Sequence, residues 1–119
     1  MSAVRKVWNK TRVQSRLGHT IASEDPAELF SLESRLGRGG FGAVYSALNS
    51  KTNERVAIKI ISIEDDEVIE DVRREVNILS ECDNSHIVKY LGTYFKDENL
   101  WVRIYFGLMK FVTLFYPLP

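Results

Sequence analysis

From Phe30 to Val102 apolar residues arrive in short runs separated by turn residues, and one stretch alone breaks that texture with a helical period. Runs at residues 30–37, 42–48 and 55–61 read as strands, with turns at the glycine group between residues 37 and 42 and at Asn49-Ser50-Lys51-Thr52-Asn53. Between Glu64 and Glu81, Val68, Val72, Val76 and Leu79 recur at helical spacing with Ile69 beside the stripe. Asp65, Asp66, Glu67, Glu70 and Asp71 crowd the first turns of that segment, where carboxylates meet the positive end of the helix dipole. Two further strand-like runs, 87–95 and 100–102, follow Cys82-Asp83-Asn84-Ser85 and are joined by a turn at Lys96-Asp97-Glu98-Asn99. Three strands, a helix and two strands with hairpin-length connections specify an α+β fold, a five-stranded antiparallel sheet with one packed helix.

The segments on either side have a different texture. Arg5, Lys6, Lys10, Arg12 and Arg16 precede the first acid, Glu24, so residues 1–28 read as a basic, flexible arm. This acid-free start, with its Arg and Ser content, also fits a mitochondrial transit peptide, the minor alternative to a cytoplasmic location. It lacks the apolar stretch of a secretory signal, and Ser2 in place of glycine excludes the myristoylation pattern. At the other end, residues 104–119 are almost wholly apolar, but Lys110 interrupts them and Pro117 and Pro119 close them. That run is shorter than the about 20 apolar residues a membrane span needs, so it reads as an apolar tail prone to self-association. The folded unit is expected over residues 29–103.

Composition excludes several classes of function. The 16 basic residues balance 16 acidic ones, which removes the overall basicity of a dedicated nucleic-acid binder. Cys82 is the single cysteine, so there is neither an internal disulfide nor a cysteine pair for a metal, and a reducing compartment is expected. Cys82 itself reads as a small apolar core residue, and His19 in the arm has no evident chemical role.

Three features carry chemistry. Leu36-Gly37-Arg38-Gly39-Gly40-Phe41-Gly42-Ala43-Val44 places glycines where backbone N–H groups can approach phosphate oxygens without side chains in the way. Alone this pattern fits a dinucleotide fingerprint or a plain hairpin equally well. A dinucleotide site needs a helix to begin at the last glycine, and the strand-like Ala43-Val44-Tyr45-Ser46-Ala47 excludes it. Next comes Val56-Ala57-Ile58-Lys59-Ile60, in which a period of two puts Ala57 and Lys59 on one face and Val56, Ile58 and Ile60 on the other. A small residue and a cation on one face suit a flat ring and its phosphates; an edge-strand lysine facing solvent is the alternative. Finally, Glu75 lies on the apolar stripe of the helix, four residues before Leu79. An inward carboxylate needs a partner, and Lys59 is the candidate; at the margin of the stripe it would instead reach water.

This order of glycine loop, V-A-I-K lysine and helix glutamate resembles the N-terminal half of the protein-kinase motif set. Residues 32–102 resemble the small lobe of Ser/Thr protein kinases of the sterile-twenty, germinal-centre group. The likeness rests on 36–44, 56–61, 74–79, Ser85-His86-Ile87-Val88-Lys89-Tyr90-Leu91-Gly92 and Leu100-Trp101-Val102. Asp25-Pro26-Ala27-Glu28-Leu29-Phe30 is similar to the lead-in that this group carries.

The resemblance implies ATP as ligand. Gly37, Gly39 and Gly42 would cover the phosphates with Arg38, Gly40 and Ala43 in the same loop and Phe41 at its tip. Leu36, Val44 and Ala57 would sandwich the adenine, and Lys59, oriented by Glu75, would hold the α- and β-phosphates. Leu79 and Tyr90 would join the regulatory spine, and His86 would be structural.

The likeness ends after Val102, where Arg103-Ile104-Tyr105-Phe106-Gly107 lacks the acidic hinge residue. No H-R-D, D-F-G or A-P-E motif occurs in the 119 residues, so no catalytic base and no metal ligand can be assigned. Mg²⁺ and a protein substrate are expected only for a complete kinase. The chain is therefore expected to be a kinase fragment unable to transfer phosphate alone, the alternative being a non-catalytic module that binds nucleotide or a partner.

Overall fold

The computed structural model describes residues 7–38, 42–81 and 88–106. Five strands, β1 (Phe30–Arg38), β2 (Gly42–Asn49), β3 (Arg55–Ser62), β4 (Val88–Lys96) and β5 (Asn99–Phe106), form one antiparallel sheet in the order β1-β2-β3-β5-β4. The helices are α1 (Lys10–Leu17), α2 (Pro26–Leu29) and α3 (Asp66–Ser80). Among the described residues no helix is long and apolar enough to cross a membrane.

Local chemistry sets the turns. The Asn49 side chain accepts hydrogen bonds from the Lys51 and Thr52 N–H groups, and Asn53 takes a left-handed conformation at φ 62°, which closes the β2–β3 hairpin. Asp97 and Glu98 are both left-handed (φ 50° and 62°), the pattern of a two-residue turn whose twist matches that of its strands. The Asp65 carboxylate accepts from the Val68 N–H and caps α3.

Both sheet faces are covered. Ile61, Leu100, Val102 and Ile104 pack beneath Ile69, Val72 and Val76 of α3. On the opposite face Val56, Ile58, Ala47, Tyr94 and Trp101 are closed over by Leu29 and Phe30 from the α2 region. The period-two reading of β3 therefore holds.

Two expectations need correction. The fifth strand was expected to stop at Val102, with an apolar tail from residue 104, but β5 runs to Phe106 and pairs Ile104 with both Ala57 and Tyr90. Arg103 does not end it: its guanidinium lies 5.5 Å from the Phe30 ring on the second face and reaches Glu54 at 3.6 Å. Residues 107–119 lie outside the described residues. The second correction concerns the segment expected to be a flexible arm. Within it, α1 is capped by Asn9, whose side chain accepts from the Arg12 N–H, and ends at left-handed Gly18. Trp8, Val13, Leu17 and Ile21 are at most 4% exposed and join the α3 core. Burial is worth about 1.5–3 kcal/mol for each large apolar side chain, enough to hold a short helix that would be marginal alone.

Candidate functional site

Cross-strand pairing builds the site. Val44 of β2 stands opposite Lys59 of β3, which stands opposite Val102 of β5, while Ala57 stands opposite Ile104. Directly paired residues share a face, so Val44, Ala57 and Lys59 project from the α3 side of the sheet. Val44 and Ala57 are fully buried and Lys59 is 4% exposed.

The Lys59 ammonium donates to both carboxylate oxygens of Glu75, at 3.0 and 3.2 Å. The two residues are 16 apart in sequence and come from different elements, so the contact fixes the rotation of α3 against β3. The Lys59 side chain is 5% exposed and that of Glu75 27%, which leaves the pair partly desolvated and open on the carboxylate side. A cation fixed in this way is preorganised to meet phosphate oxygens without first searching for a rotamer. The surface-lysine alternative is excluded.

The glycine loop is reached from both sides. Gly37 stands opposite Val44, and Leu36, half-buried, falls in the register shift between Arg35 and Gly37. Arg38 ends β1 exposed, and Gly39, Gly40 and Phe41 lie outside the described residues. Gly42 has a requirement that its motif does not reveal: a Cβ there would sit 2.1 Å from the Ile60 carbonyl oxygen. Its missing side chain lets β2 close onto β3 at the start of the hairpin. Ala43 is paired with Ile60, so its side chain leaves the sheet on the face opposite Lys59. Only its backbone can contribute to the loop.

Behind the pair, Tyr90 Oη and Thr93 Oγ1 are 2.6 Å apart, and Thr93 is 1% exposed. Burial raises the Tyr90 phenol above its ordinary range, its hydrogen bond with Thr93 opposes the rise, and nearby Tyr94 adds to it. Tyr90 packs against the α3 core, whereas the Leu79 side chain, Cys82 and His86 lie outside the described residues. Sequence reasoning missed Asn77 of α3 and His19, which meet at 2.7 Å. The signal available was a polar residue one position after the apolar Val76. Among the described residues no three His, Cys, Asp or Glu side chains gather as a metal site.

Comparison with known proteins agrees with this geometry. Residues 30–116 match the protein kinase domain, which carries the likeness beyond the expected limit at Val102. Serine/threonine-protein kinase dst1 of Dictyostelium discoideum is 44% identical over 100 residues, covering 84% of this chain and 14% of that protein. The chain thus spans a small part of that relative's length. With a family match over most of its residues and the paired lysine and glutamate in place, the chain belongs to the protein kinase domain family.

Proposed function

We propose that this chain is the ATP-binding small lobe of a Ser/Thr protein kinase of the sterile-twenty, germinal-centre group, acting in the cytoplasm. The observation that carries the reading is the Lys59–Glu75 pair on the face that also bears Val44 and Ala57. On this reading Leu36, Val44 and Ala57 hold the adenine, the loop from Gly37 to Gly42 lies over the phosphates, and the Lys59 ammonium holds the α- and β-phosphates. The residues fit that ligand: two small apolar side chains suit a flat ring, and the cation lies on the same face with its carboxylate set to aim it. Mg²⁺ would neutralise phosphate charge, held by groups outside this lobe.

Transfer to a Ser or Thr hydroxyl needs an orienting carboxylate and metal ligands, and the 119 residues contain no H-R-D or D-F-G motif to supply them. The chain's own part is binding. Calorimetric titration with ATP and Mg²⁺ tests the reading. Saturable binding is expected, weakened at least about tenfold when Lys59→Met removes the charge-assisted hydrogen bonds. Equal binding by both chains would reject Lys59 as the phosphate ligand.

A further inference from the structure

The segment before β1 crosses the edge of the sheet. Ala22 N–H donates to the Thr93 carbonyl of edge strand β4, the α2 region covers one face, and α1 lies on the other against α3. Trp8 fixes the beginning of this strap, since its backbone N–H donates to Glu98 Oε2 at 3.0 Å and its ring lies under the Arg12 guanidinium at 4.6 Å. Gln14 fixes its end by accepting the Ile21 N–H at 2.7 Å.

The contacts with α3 follow one flank. Arg16 reaches Asp66 at 3.3 Å, the Gly18 position lies beside the Arg73 stem, and His19 Nε2 is 2.7 Å from Asn77 Oδ1. Asp66, Arg73 and Asn77 project roughly 100–140° around the helix from Val72, whereas Glu75 projects about 60° the other way. The strap therefore grips one side of α3 while the other side presents Glu75 to Lys59. α3 rests on the sheet through Ile61, Leu100, Val102 and Ile104 and is flanked by Val13 and Leu17 of α1, so the strap supplies one of its supports. Arg16 and Asp66 are both well exposed and their pair is worth little, whereas His19 and Asn77 are partly buried and His19 also lies 6.3 Å from the Tyr90 ring.

We propose that His19 is a positioning residue: through Asn77 it holds α3 at the rotation that sets Glu75 against Lys59. The strap of residues 8–22 is thus part of the machinery of the nucleotide site although it touches no ligand. This rests on reading the Lys59–Glu75 pair as the phosphate-holding pair, but its test uses no nucleotide.

The rate at which acetic anhydride acetylates Lys59 in the complete chain, measured by peptide mass spectrometry, reports the pair directly. Exposed Lys51 serves as reference. His19→Ala should raise the Lys59 rate about fivefold relative to Lys51, the factor that one lost hydrogen bond is worth. Asn77→Ala should do the same, the double variant should add nothing further, and His19→Gln, which can still donate to Asn77, should restore the slow rate. An unchanged Lys59 rate in His19→Ala would overturn the proposal. So would loss of the whole sheet in that variant, detected by circular dichroism, because His19 would then support the fold rather than position α3. If ATP fails to bind but the acetylation pattern appears, the positioning role stands and the nucleotide reading fails.

Discussion

Replacing Glu75 with glutamine keeps the shape of the side chain and removes its charge. In the native chain Lys59 is 4% exposed and both Glu75 oxygens lie within 3.2 Å of its ammonium. Breaking a fully buried pair costs about 3–5 kcal/mol, and the 27% exposure of the Glu75 side chain lowers the expectation to about 2–4 kcal/mol. A domain of this size has only about 5–15 kcal/mol in total, so the change should be plain in urea unfolding followed by Trp101 and Trp8 fluorescence. A loss below about 0.5 kcal/mol would refute the view that this pair is desolvated and mutually dependent.

Three further outcomes follow from the geometry. Gly42→Ala should cost about 3 kcal/mol, the upper end of overpacking, since the new Cβ meets a backbone carbonyl that cannot step aside; thermal unfolding within a degree of wild type would contradict this. Leu17→Ala, at a fully buried site, should cost about 2–5 kcal/mol in the same unfolding assay, whereas a residue on a mobile arm would cost nothing. Asp25 is held below the ordinary carboxylate range, chiefly by its hydrogen bond from Lys96 at 2.8 Å, and its carboxylate also caps α2 at the Ala27 N–H. Its folded pKa is depressed, so the stability it contributes is present above about pH 4 and is lost as pH falls through the folded value. The Ala27 amide resonance should report that step in NMR, and it should be missing from Asp25→Asn.

What the sequence made legible follows from how local each signal is. The hairpins show in Asn49–Asn53, where the Asn49 side chain makes the turn, and in Asp97-Glu98, where the backbone angles do. α3 shows because Val68, Val72 and Val76 repeat over several turns, and the pairing of Lys59 with Glu75 was inferable from two independent periods, two along β3 and three to four along α3. α1 was hidden because it presents only Val13 and Leu17 among charges, too short a stripe to stand out, although Asn9 and Gly18 mark its two ends. The end of β5 is hidden at Arg103 because a cation inside an apolar run suggests a boundary. Its partners, the Phe30 ring and Glu54, lie far away in the chain. The motif marks Gly42 for a ligand, whereas its close approach to the Ile60 carbonyl depends on strand register, which no single-residue pattern encodes. The face of Ala43 is hidden for the same reason: it is set by pairing with Ile60 and not by its place in the glycine motif.

The ATP site itself can be probed with an ATP derivative carrying an acyl group on its terminal phosphate, which acylates whichever lysine amine the phosphates touch. Bound as proposed, it should label Lys59 in preference to exposed Lys51 and to Lys96, and excess ATP should suppress that labelling. Labelling spread over Lys51 and Lys96 and indifferent to ATP would contradict a phosphate site at the Lys59–Glu75 pair.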